Sequence, residues 1–172
     1  MSLYLMWINL IKEKANEEWL TKSQREVYRA ILERWQSQPF VNLYGHRGVG
    51  KTFLAHLLAK HHGYVYVHDL AQAPHNAPHV ILDDANYNRA LRPLARTLGL
   101  GRVLLITETP IREAMPKVEL ALDPHDVGQF CANLSERCGI SLIYTLPEGT
   151  DLGEILRREV IARGEAHVTG RS

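Results

Sequence analysis

The chain has 172 residues, which allows one domain, or one domain with a small appendage, and a real hydrophobic core. Its 20 Lys and Arg residues nearly balance 19 Asp and Glu residues, which argues against wrapping of nucleic acid through overall charge but allows a local basic face. No apolar run approaches the roughly 20 residues that span a membrane, and the apolar stretch 3–11 lacks the basic start and the cleavage site of a signal peptide.

Two helices are predicted ahead of the first strand. Residues 3–20 combine an apolar patch with charged residues and are predicted to be helical. Thr21 then opens a second helix that continues to about Trp35, because apolar residues recur along it at helical spacing on one face. We therefore expect an N-terminal helical segment over residues 1–38.

A glycine-rich segment carries the most specific motif of the chain. Residues 45–52, GHRGVGKT, match the phosphate-binding pattern GxxxxGK(S/T) in full and are called the phosphate loop below. An apolar run at 41–44 precedes the loop, and apolar residues at helical spacing follow it. In this motif backbone N–H groups surround nucleotide phosphates, the lysine reaches the β- and γ-phosphates and the hydroxyl holds Mg²⁺. The predicted nucleotide-binding residues are Gly45, His46, Arg47, Gly48, Val49, Gly50, Lys51, Thr52 and Phe53.

The strands that follow are short and continuously apolar. They are predicted at residues 64–67, 79–82 and 103–107, with an arginine-rich helix over 87–98 between the last two. Strands that alternate with helices and are apolar on both faces indicate a three-layer α/β sandwich with a central parallel sheet. We expect this core to span residues 39–124.

The pattern is looser in the C-terminal part. A fifth strand is predicted at 118–122, followed by a helix over 126–137, a strand candidate at 141–146 and a final helix over 152–161. Residues 125–172 therefore either complete the core or form a small helical lid, and the sequence leaves both alternatives open.

Two cysteines indicate the compartment. Cys131 and Cys138 lie seven residues apart on one predicted helix, which separates them by about 10 Å along its axis. This distance is too long for a disulfide, so we expect free thiols in a reducing, cytoplasmic environment.

Polar residues stand where two of the strands end. Ligands of open parallel sheets bind beyond the carboxyl ends of the strands. Asp83 and Asp84 follow one strand, where the first can organise Mg²⁺ and the second can orient an attacking water. Thr107 ends the next strand, where it can touch a γ-phosphate or the water, as can Glu108 and Thr109. An acidic loop and an ordinary turn are the alternatives.

Together these segments resemble the additional-strand P-loop ATPases, and among them the AAA+ group of replication initiators, clamp loaders and transposition ATPases. The resemblance covers roughly residues 40–135. It rests on 45–52 as Walker A, 80–84 as Walker B, 104–110 as the sensor-1 strand and 118–124 as the last core strand.

The resemblance implies ATP and Mg²⁺ as cofactors and assigns roles to five residues. Lys51 and Thr52 would bind the phosphates and Mg²⁺, Asp83 would be the acid beside the metal, Asp84 the catalytic base and Thr107 the sensor. The family usually carries Glu at the base position. Because a misplacement of about 1 Å can cost 10²-fold in rate, we expect slow or partner-dependent hydrolysis.

The resemblance also implies roles for arginines. Arg112 stands where the family carries an arginine finger that acts across a subunit interface, although a solvated arginine is an equal alternative. Arg157, Arg158 and Arg163 compete for a sensor-2 role, and the sequence does not choose among them. A protein partner or a second copy of the chain is expected.

Two further surfaces are candidates for binding. Thr21, Gln24 and Tyr28 precede the first strand, and an amide such as Gln24 can pair with an adenine edge; a helix cap is the alternative. Arg89, Arg92 and Arg96 would share one face of the predicted helix over 87–98. That face could contact DNA phosphates or a neighbouring subunit, and a solvated helix face is the alternative.

Three functions are consistent with the sequence. The first is an AAA+-type ATPase module in a DNA-handling or defence assembly. The second is a P-loop small-molecule or nucleotide kinase, in which Asp69 would bind the acceptor. The third is a nucleotide-dependent binding subunit with little turnover, in which Tyr4, Trp7 and Leu10 would form a docking face.

Overall fold

A central sheet of five strands organises the computed structural model, which describes residues 3–83, 85, 87–141 and 152–169 and, in the last helix, side chains to 163. The strands are β1 (Phe40–Tyr44), β2 (Val65–Val67), β3 (His79–Leu82), β4 (Arg102–Thr107) and β5 (Lys117–Glu119). The helices are α1 (Leu3–Lys14), α2 (Lys22–Ser37), α3 (Lys51–His62), α4 (Leu91–Thr97), α5 (Pro124–Cys138) and α6 (Leu152–Thr169). Short 3₁₀ turns lie at Glu17–Trp19 and Leu70–Gln72.

All strand pairs are parallel, in the order β2-β3-β4-β1-β5. Strand β4 therefore lies between β1, which leads into the phosphate loop, and β3, which leads to Asp83. Parallel strands have their carboxyl ends at one edge of a sheet. Gly45 follows β1, Asp83 follows β3 and Thr107 is the last residue of β4, so all three lie at the same edge.

Side chains on the two faces of the sheet pack against different helices. Ile81 and Leu104 belong to one apolar cluster, with the buried faces of α2 and α3. Their strand neighbours Val80 and Leu105 belong to a second cluster, with residues of α4. This alternation confirms the predicted three-layer α/β sandwich with a central parallel sheet.

Local signals explain where the helices begin and end. The Thr21 side chain accepts from the Gln24 N–H, and the Gln24 side chain accepts from the Thr21 N–H, which forms the capping box of α2. The predicted helix over 87–98 is wrong at its start, since α4 begins at Leu91. Asn88 Oδ1 accepts from the Ala90 N–H at 2.8 Å, and this local bond competes with an earlier helical turn.

The N-terminal and C-terminal helices share a third apolar cluster. Trp7 and Ile11 of α1 pack there with Leu134 of α5 and with Ile155 and Leu156 of α6. The predicted N-terminal segment therefore divides, because α2 packs on the sheet whereas α1 joins the helices of the region 125–172. Helices α1, α5 and α6 lie beside the carboxyl ends of the strands, where a lid would lie.

Several sequence predictions change with this packing. Trp7 is buried, so the predicted docking face of Tyr4, Trp7 and Leu10 is wrong as an exposed surface; Leu5 and Met6 are the exposed apolar residues of α1. Strand β5 is shorter than predicted. The strand candidate at 141–146 lies outside the described residues apart from residue 141. Within the described ranges, no helix has the length and apolar character needed to cross a membrane.

Candidate nucleotide-binding site

The phosphate loop has a backbone that side chains would disturb. Gly45 has φ +155°, and a Cβ there would lie 2.2 Å from the backbone oxygen of Leu120. Gly50 has φ +98°, and a Cβ there would lie 2.5 Å from Nε2 of Gln24. Both positions therefore need glycine, for its positive φ and for close packing.

Lys51 begins α3 and folds back over the loop. Its Nζ donates to the carbonyl oxygens of Gly45 at 2.6 Å and His46 at 2.8 Å. The ammonium group thus lies at the N-terminus of α3, whose backbone N–H groups favour an anion. Phosphate oxygens bound there would compete with the two carbonyl oxygens for the same donors.

A carboxylate lies directly beside the loop. Asp83 follows β3, is 2% exposed and accepts two hydrogen bonds at Oδ2. Thr52 Oγ1 donates at 2.9 Å, and the Tyr66 hydroxyl donates at 2.6 Å. The structure therefore brings together the two residues that the sequence predicts to be metal ligands, and it adds Tyr66.

The oxygen donors of this pair fit Mg²⁺, which takes oxygen ligands, keeps several waters and uses one or two carboxylates together with substrate phosphates. The hydroxyl of Thr52 and the carboxylate of Asp83 would hold the ion. Within the ranges that the structure describes, no group of three or more His, Cys, Asp or Glu side chains could hold a metal.

Aromatic stacking holds Tyr66 in place. Its ring lies 4.5 Å from that of His56, with 25° between the planes. Burial and the nearby Lys12 lower the pKa of His56, while the charge of Asp83 opposes this shift. His56 therefore favours its neutral form and offers Tyr66 an uncharged stacking partner.

Thr107 ends β4 at the same edge and is held by Asn42 of β1. Asn42 Nδ2 donates to Thr107 Oγ1 at 2.9 Å, and Thr107 Oγ1 donates to the Thr109 carbonyl at 2.7 Å. Thr107 thus lies where the sequence predicts a sensor, in a network that sequence reasoning missed.

Gln24 connects α2 to the phosphate loop. Its Oε1 accepts from the Thr21 N–H at 3.1 Å, and its Nε2 lies 3.4 Å from the Val49 carbonyl oxygen. Gln24 is buried, and both ends of its amide have partners within the protein. Pairing of Gln24 with adenine stays a prediction that requires these bonds to exchange.

A cavity of about 660 Å³ opens beside the loop, bounded by the strand ends and the helices, and is called the loop cavity below. One side is polar, and the other is formed by apolar side chains of the helices, including residues of α1 that sequence reasoning missed. The polar side includes Arg47, Gly48, Gly50, Lys51, Thr52, Asp83, Thr107 and Glu108. The apolar side includes Tyr4, Ile8, Ile11, Phe53, Leu134, Leu152 and Leu156.

This division suits a nucleotide, because ligand sites combine apolar walls with a few placed polar groups. Three predicted loop residues do not line the loop cavity. Gly45 and Val49 are buried residues of the loop. His46 is exposed, and its carbonyl oxygen accepts a hydrogen bond from Lys51. Asp84, the predicted base, lies outside the described residues.

The predicted arginine roles separate in space. Arg112 is exposed and does not line the loop cavity. Arg157 and Arg158 are exposed and pair with Glu154 at 3.1 and 2.8 Å. Arg163 pairs with the buried Glu159 at 2.7 Å. None of these four arginines lines the loop cavity.

The predicted basic face of α4 is wrong as a single face. Arg89 precedes the helix, and Arg96 is exposed on it. Arg92 lies over the Phe40 ring, with its guanidinium carbon 5.3 Å from the centroid, and its Nε is 3.4 Å from Glu113. Arg92 leaves the predicted face because its side chain packs on Phe40 at the start of β1, away from the carboxyl ends of the strands.

Asp69 also has a local role. Its Oδ1 accepts from the Ala71 N–H at 3.0 Å and caps the turn after β2. Asp69 does not line the loop cavity. The acceptor-binding role that a kinase would require is therefore not supported by its position.

Comparisons with known proteins identify the fold. The structure of AMPPCP-bound DnaA from Aquifex aeolicus matches with TM-score 0.50 and 19% identity, over 83% of this chain and 59% of that chain. The replication initiator DnaA bound to AMPPCP and single-stranded DNA matches with TM-score 0.46 and 18% identity, over 86% of this chain and 60% of that chain. No protein-family model and no curated protein matches the chain.

The first of these likenesses shows the fold alone, a mixed α/β core with a central parallel sheet that is consistent with a P-loop NTPase fold. The chain spans 59% and 60% of the lengths of the two DnaA chains.

Proposed function

We propose that the chain binds Mg²⁺ and ATP in the loop cavity and acts as an AAA+-type ATPase module. The observation that carries this proposal is the 2.9 Å contact between Thr52 Oγ1 and Asp83 Oδ2 beneath the phosphate loop. A hydroxyl and a carboxylate at this distance can share one oxygen-liganded cation. The first DnaA structure is bound to AMPPCP, which supports a nucleotide as the ligand.

Binding would use the two sides of the loop cavity differently. The amides of Gly48, Gly50 and Lys51 would bind the phosphates at the start of α3, and the Lys51 ammonium would move from carbonyl oxygens to phosphate oxygens. The base would lie against the apolar helices. Mg²⁺, when bound by Thr52 and Asp83, neutralises charge on the phosphates.

Hydrolysis would need groups that this chain supplies at the strand ends. A water attacks the terminal phosphorus in line, its proton passes to a carboxylate after β3, and the bond from phosphorus to the ADP oxygen breaks. Asp84 is the proposed base on the family resemblance. The Thr107 hydroxyl, which accepts a hydrogen bond from Asn42 at 2.9 Å, would donate to the terminal phosphate.

The nucleotide state would be read out by a partner. Arg112 is exposed and does not line the loop cavity, and we propose that it acts on the site of a second copy. An arginine supplied in this way can raise hydrolysis by about 10³–10⁵. We propose that the output is a nucleotide-dependent assembly or conformation within a larger DNA-handling or defence complex.

The second candidate is a nucleotide-dependent binding subunit with little turnover. The position of Arg112 favours it, because a single copy does not bring this arginine to its own loop cavity. It also accounts for an aspartate at the base position, where a longer side chain is usual in the family that the chain resembles.

The test is calorimetric titration of ATP with Mg²⁺ into wild type and Lys51→Ala, with hydrolysis and light scattering measured on the same samples. Lys117→Ala is the matched control, since Lys117 is exposed and its Nζ donates to the Glu113 carbonyl. We expect binding by wild type and the control but not by Lys51→Ala. ATP-driven assembly without hydrolysis supports the second candidate. If wild type shows neither binding nor assembly, both candidates are wrong.

A further inference from the structure

A polar side chain is buried in the middle of the sheet. Asn42 lies on β1 between Val41 and Leu43 and is 0% exposed. Its two neighbours pack toward α2 and α3, so Asn42 faces the opposite layer, where Leu105 and Ile111 are buried. Packing alone favours an apolar residue at such a position, because a buried amide is costly unless its hydrogen bonds are made.

The amide of Asn42 makes bonds at both ends. Its Nδ2 donates to Thr107 Oγ1 at 2.9 Å and to the Leu105 carbonyl at 3.1 Å. Its Oδ1 accepts from the Ile111 N–H at 2.9 Å. One side chain of the strand that leads into the phosphate loop therefore holds both the end of β4 and the segment that leads to Arg112.

The hydroxyl of Thr107 has a single proton, which limits what it can do. Oγ1 accepts from Asn42 and donates to the Thr109 carbonyl at 2.7 Å. To donate to a terminal phosphate, the hydroxyl must give up its bond to Thr109. Asn42 can keep Oγ1 in place while the proton turns from one acceptor to the other.

We infer that Asn42 is a positioning residue that fixes the Thr107 hydroxyl for the terminal phosphate and couples the occupant of the loop cavity to residues 109–111. This inference rests on the proposed function. ATP would exchange the Thr107–Thr109 bond for a Thr107–phosphate bond, whereas ADP would not. The segment held through Ile111 would then differ between the two nucleotides, directly before Arg112.

The experiment uses Asn42→Val and Thr107→Val in the full chain. Calorimetry measures the ratio of ATP to ADP affinity, and hydrogen exchange measures protection of the Ile111 amide without nucleotide, with ADP and with a non-hydrolysable ATP analogue. We expect each variant to lower the ATP-to-ADP affinity ratio about tenfold, which corresponds to the loss of one hydrogen bond. The affinity for ADP should fall less than the affinity for ATP.

Exchange at Ile111 separates positioning from packing. Asn42→Val should raise exchange at Ile111 in the nucleotide-free chain, and both variants should abolish its dependence on nucleotide. Thr107→Ser, which keeps the hydroxyl, should restore that dependence. Thr97→Val is the matched control, because Thr97 Oγ1 donates to a carbonyl within α4, away from the strand ends.

The double variant of Asn42 and Thr107 completes the test. Because the two residues act through one hydroxyl, the second substitution should change the affinity ratio less than about twofold. An unchanged ratio and unchanged nucleotide dependence at Ile111 in Asn42→Val would overturn the inference while leaving ATP binding intact. If Asn42→Val does not fold, the same result in Thr107→Val overturns it. A wild-type chain that binds no ATP would instead overturn the proposed function, and the inference with it.

Discussion

Tyr66→Phe removes one hydrogen bond from the carboxylate beside the phosphate loop and leaves the ring in place. The lost bond joins the Tyr66 hydroxyl to Asp83 Oδ2 at 2.6 Å. The ring contact with His56, at 4.5 Å between centroids, does not depend on the hydroxyl. Thr52 continues to donate to the same oxygen at 2.9 Å, so the substitution removes the Tyr66 donor and keeps the Thr52 donor.

The magnitude follows from the charge on the acceptor. A hydrogen bond to a charged group contributes about 1.5–3 kcal/mol, and loss of a partner that orients a metal ligand costs about 10–100-fold in metal affinity. We therefore expect the Mg²⁺ concentration for half-maximal ATP binding to rise about 10–100-fold in Tyr66→Phe. The affinity for ATP without Mg²⁺ should change little, because Tyr66 does not line the loop cavity.

The assay is a titration of Mg²⁺ into the protein with a fixed concentration of a fluorescent ATP analogue. Tyr87→Phe is the matched control, because the Tyr87 hydroxyl also donates to a carboxylate, that of Glu113, and neither residue lines the loop cavity. Thermal melting of both variants reports the change in folding stability. If Tyr66→Phe and Tyr87→Phe are equally destabilised and show the same Mg²⁺ dependence as wild type, Tyr66 does not position a metal ligand.

Three further predictions address the backbone, the subunit contact and the pH dependence. Gly45→Ala should abolish ATP binding and lower the free energy of unfolding in urea by several kcal/mol, since its Cβ would lie 2.2 Å from the Leu120 carbonyl oxygen. Gly63→Ala, with open space around its Cβ, should lose only about 1–2 kcal/mol; equal losses would contradict the clash. Arg112→Ala should leave ATP affinity unchanged but lower hydrolysis by the assembled protein about 10³-fold or more, and unchanged hydrolysis would exclude a finger role. Burial lowers the pKa of His79 below its ordinary value of 6.5, so the unfolded chain binds this proton at higher pH than the folded chain. The contribution of neutral His79 to folding stability should therefore be fully present above about pH 6.5 and decrease as the pH falls below that value. Urea unfolding at two pH values should show a smaller loss of stability at the lower pH in His79→Phe than in wild type.

The parts of the site that the sequence predicts are those encoded by neighbouring residues. The phosphate loop, the capping box at Thr21 and the stop at Gly63 each depend on a few adjacent positions. The apolar strands are also local patterns, and their parallel arrangement follows from the helices between them. Asp83 could be placed beside the loop because parallel strands end at one edge.

Partners distant in sequence could not be predicted in the same way. Asn42 and Thr107 meet because β1 pairs with β4, in a register that aligns Asn42 with Leu105. Tyr66 reaches Asp83 because β2 pairs with β3. A polar residue inside an apolar strand was the available signal for Asn42, and it indicates a buried hydrogen-bond partner without identifying it.

The terminal helices show the same limit for apolar residues. The pattern of α1 indicates a buried face, but it does not tell which element covers that face. In the structure Trp7 packs with Ile155 and Leu156 of α6, nearly a whole chain length away. Arg92 is the polar counterpart, because a solvated face and a contact with Phe40 give the same sequence pattern.

A crystal structure of the chain with a non-hydrolysable ATP analogue and Mg²⁺ bears most directly on nucleotide binding. We expect the phosphates within residues 45–52, the Lys51 ammonium moved from the Gly45 and His46 carbonyls onto phosphate oxygens, and Mg²⁺ beside Thr52 and Asp83. A nucleotide bound elsewhere, or a loop that still holds Lys51 on its own carbonyls at saturating analogue, would contradict a nucleotide-binding role for the phosphate loop.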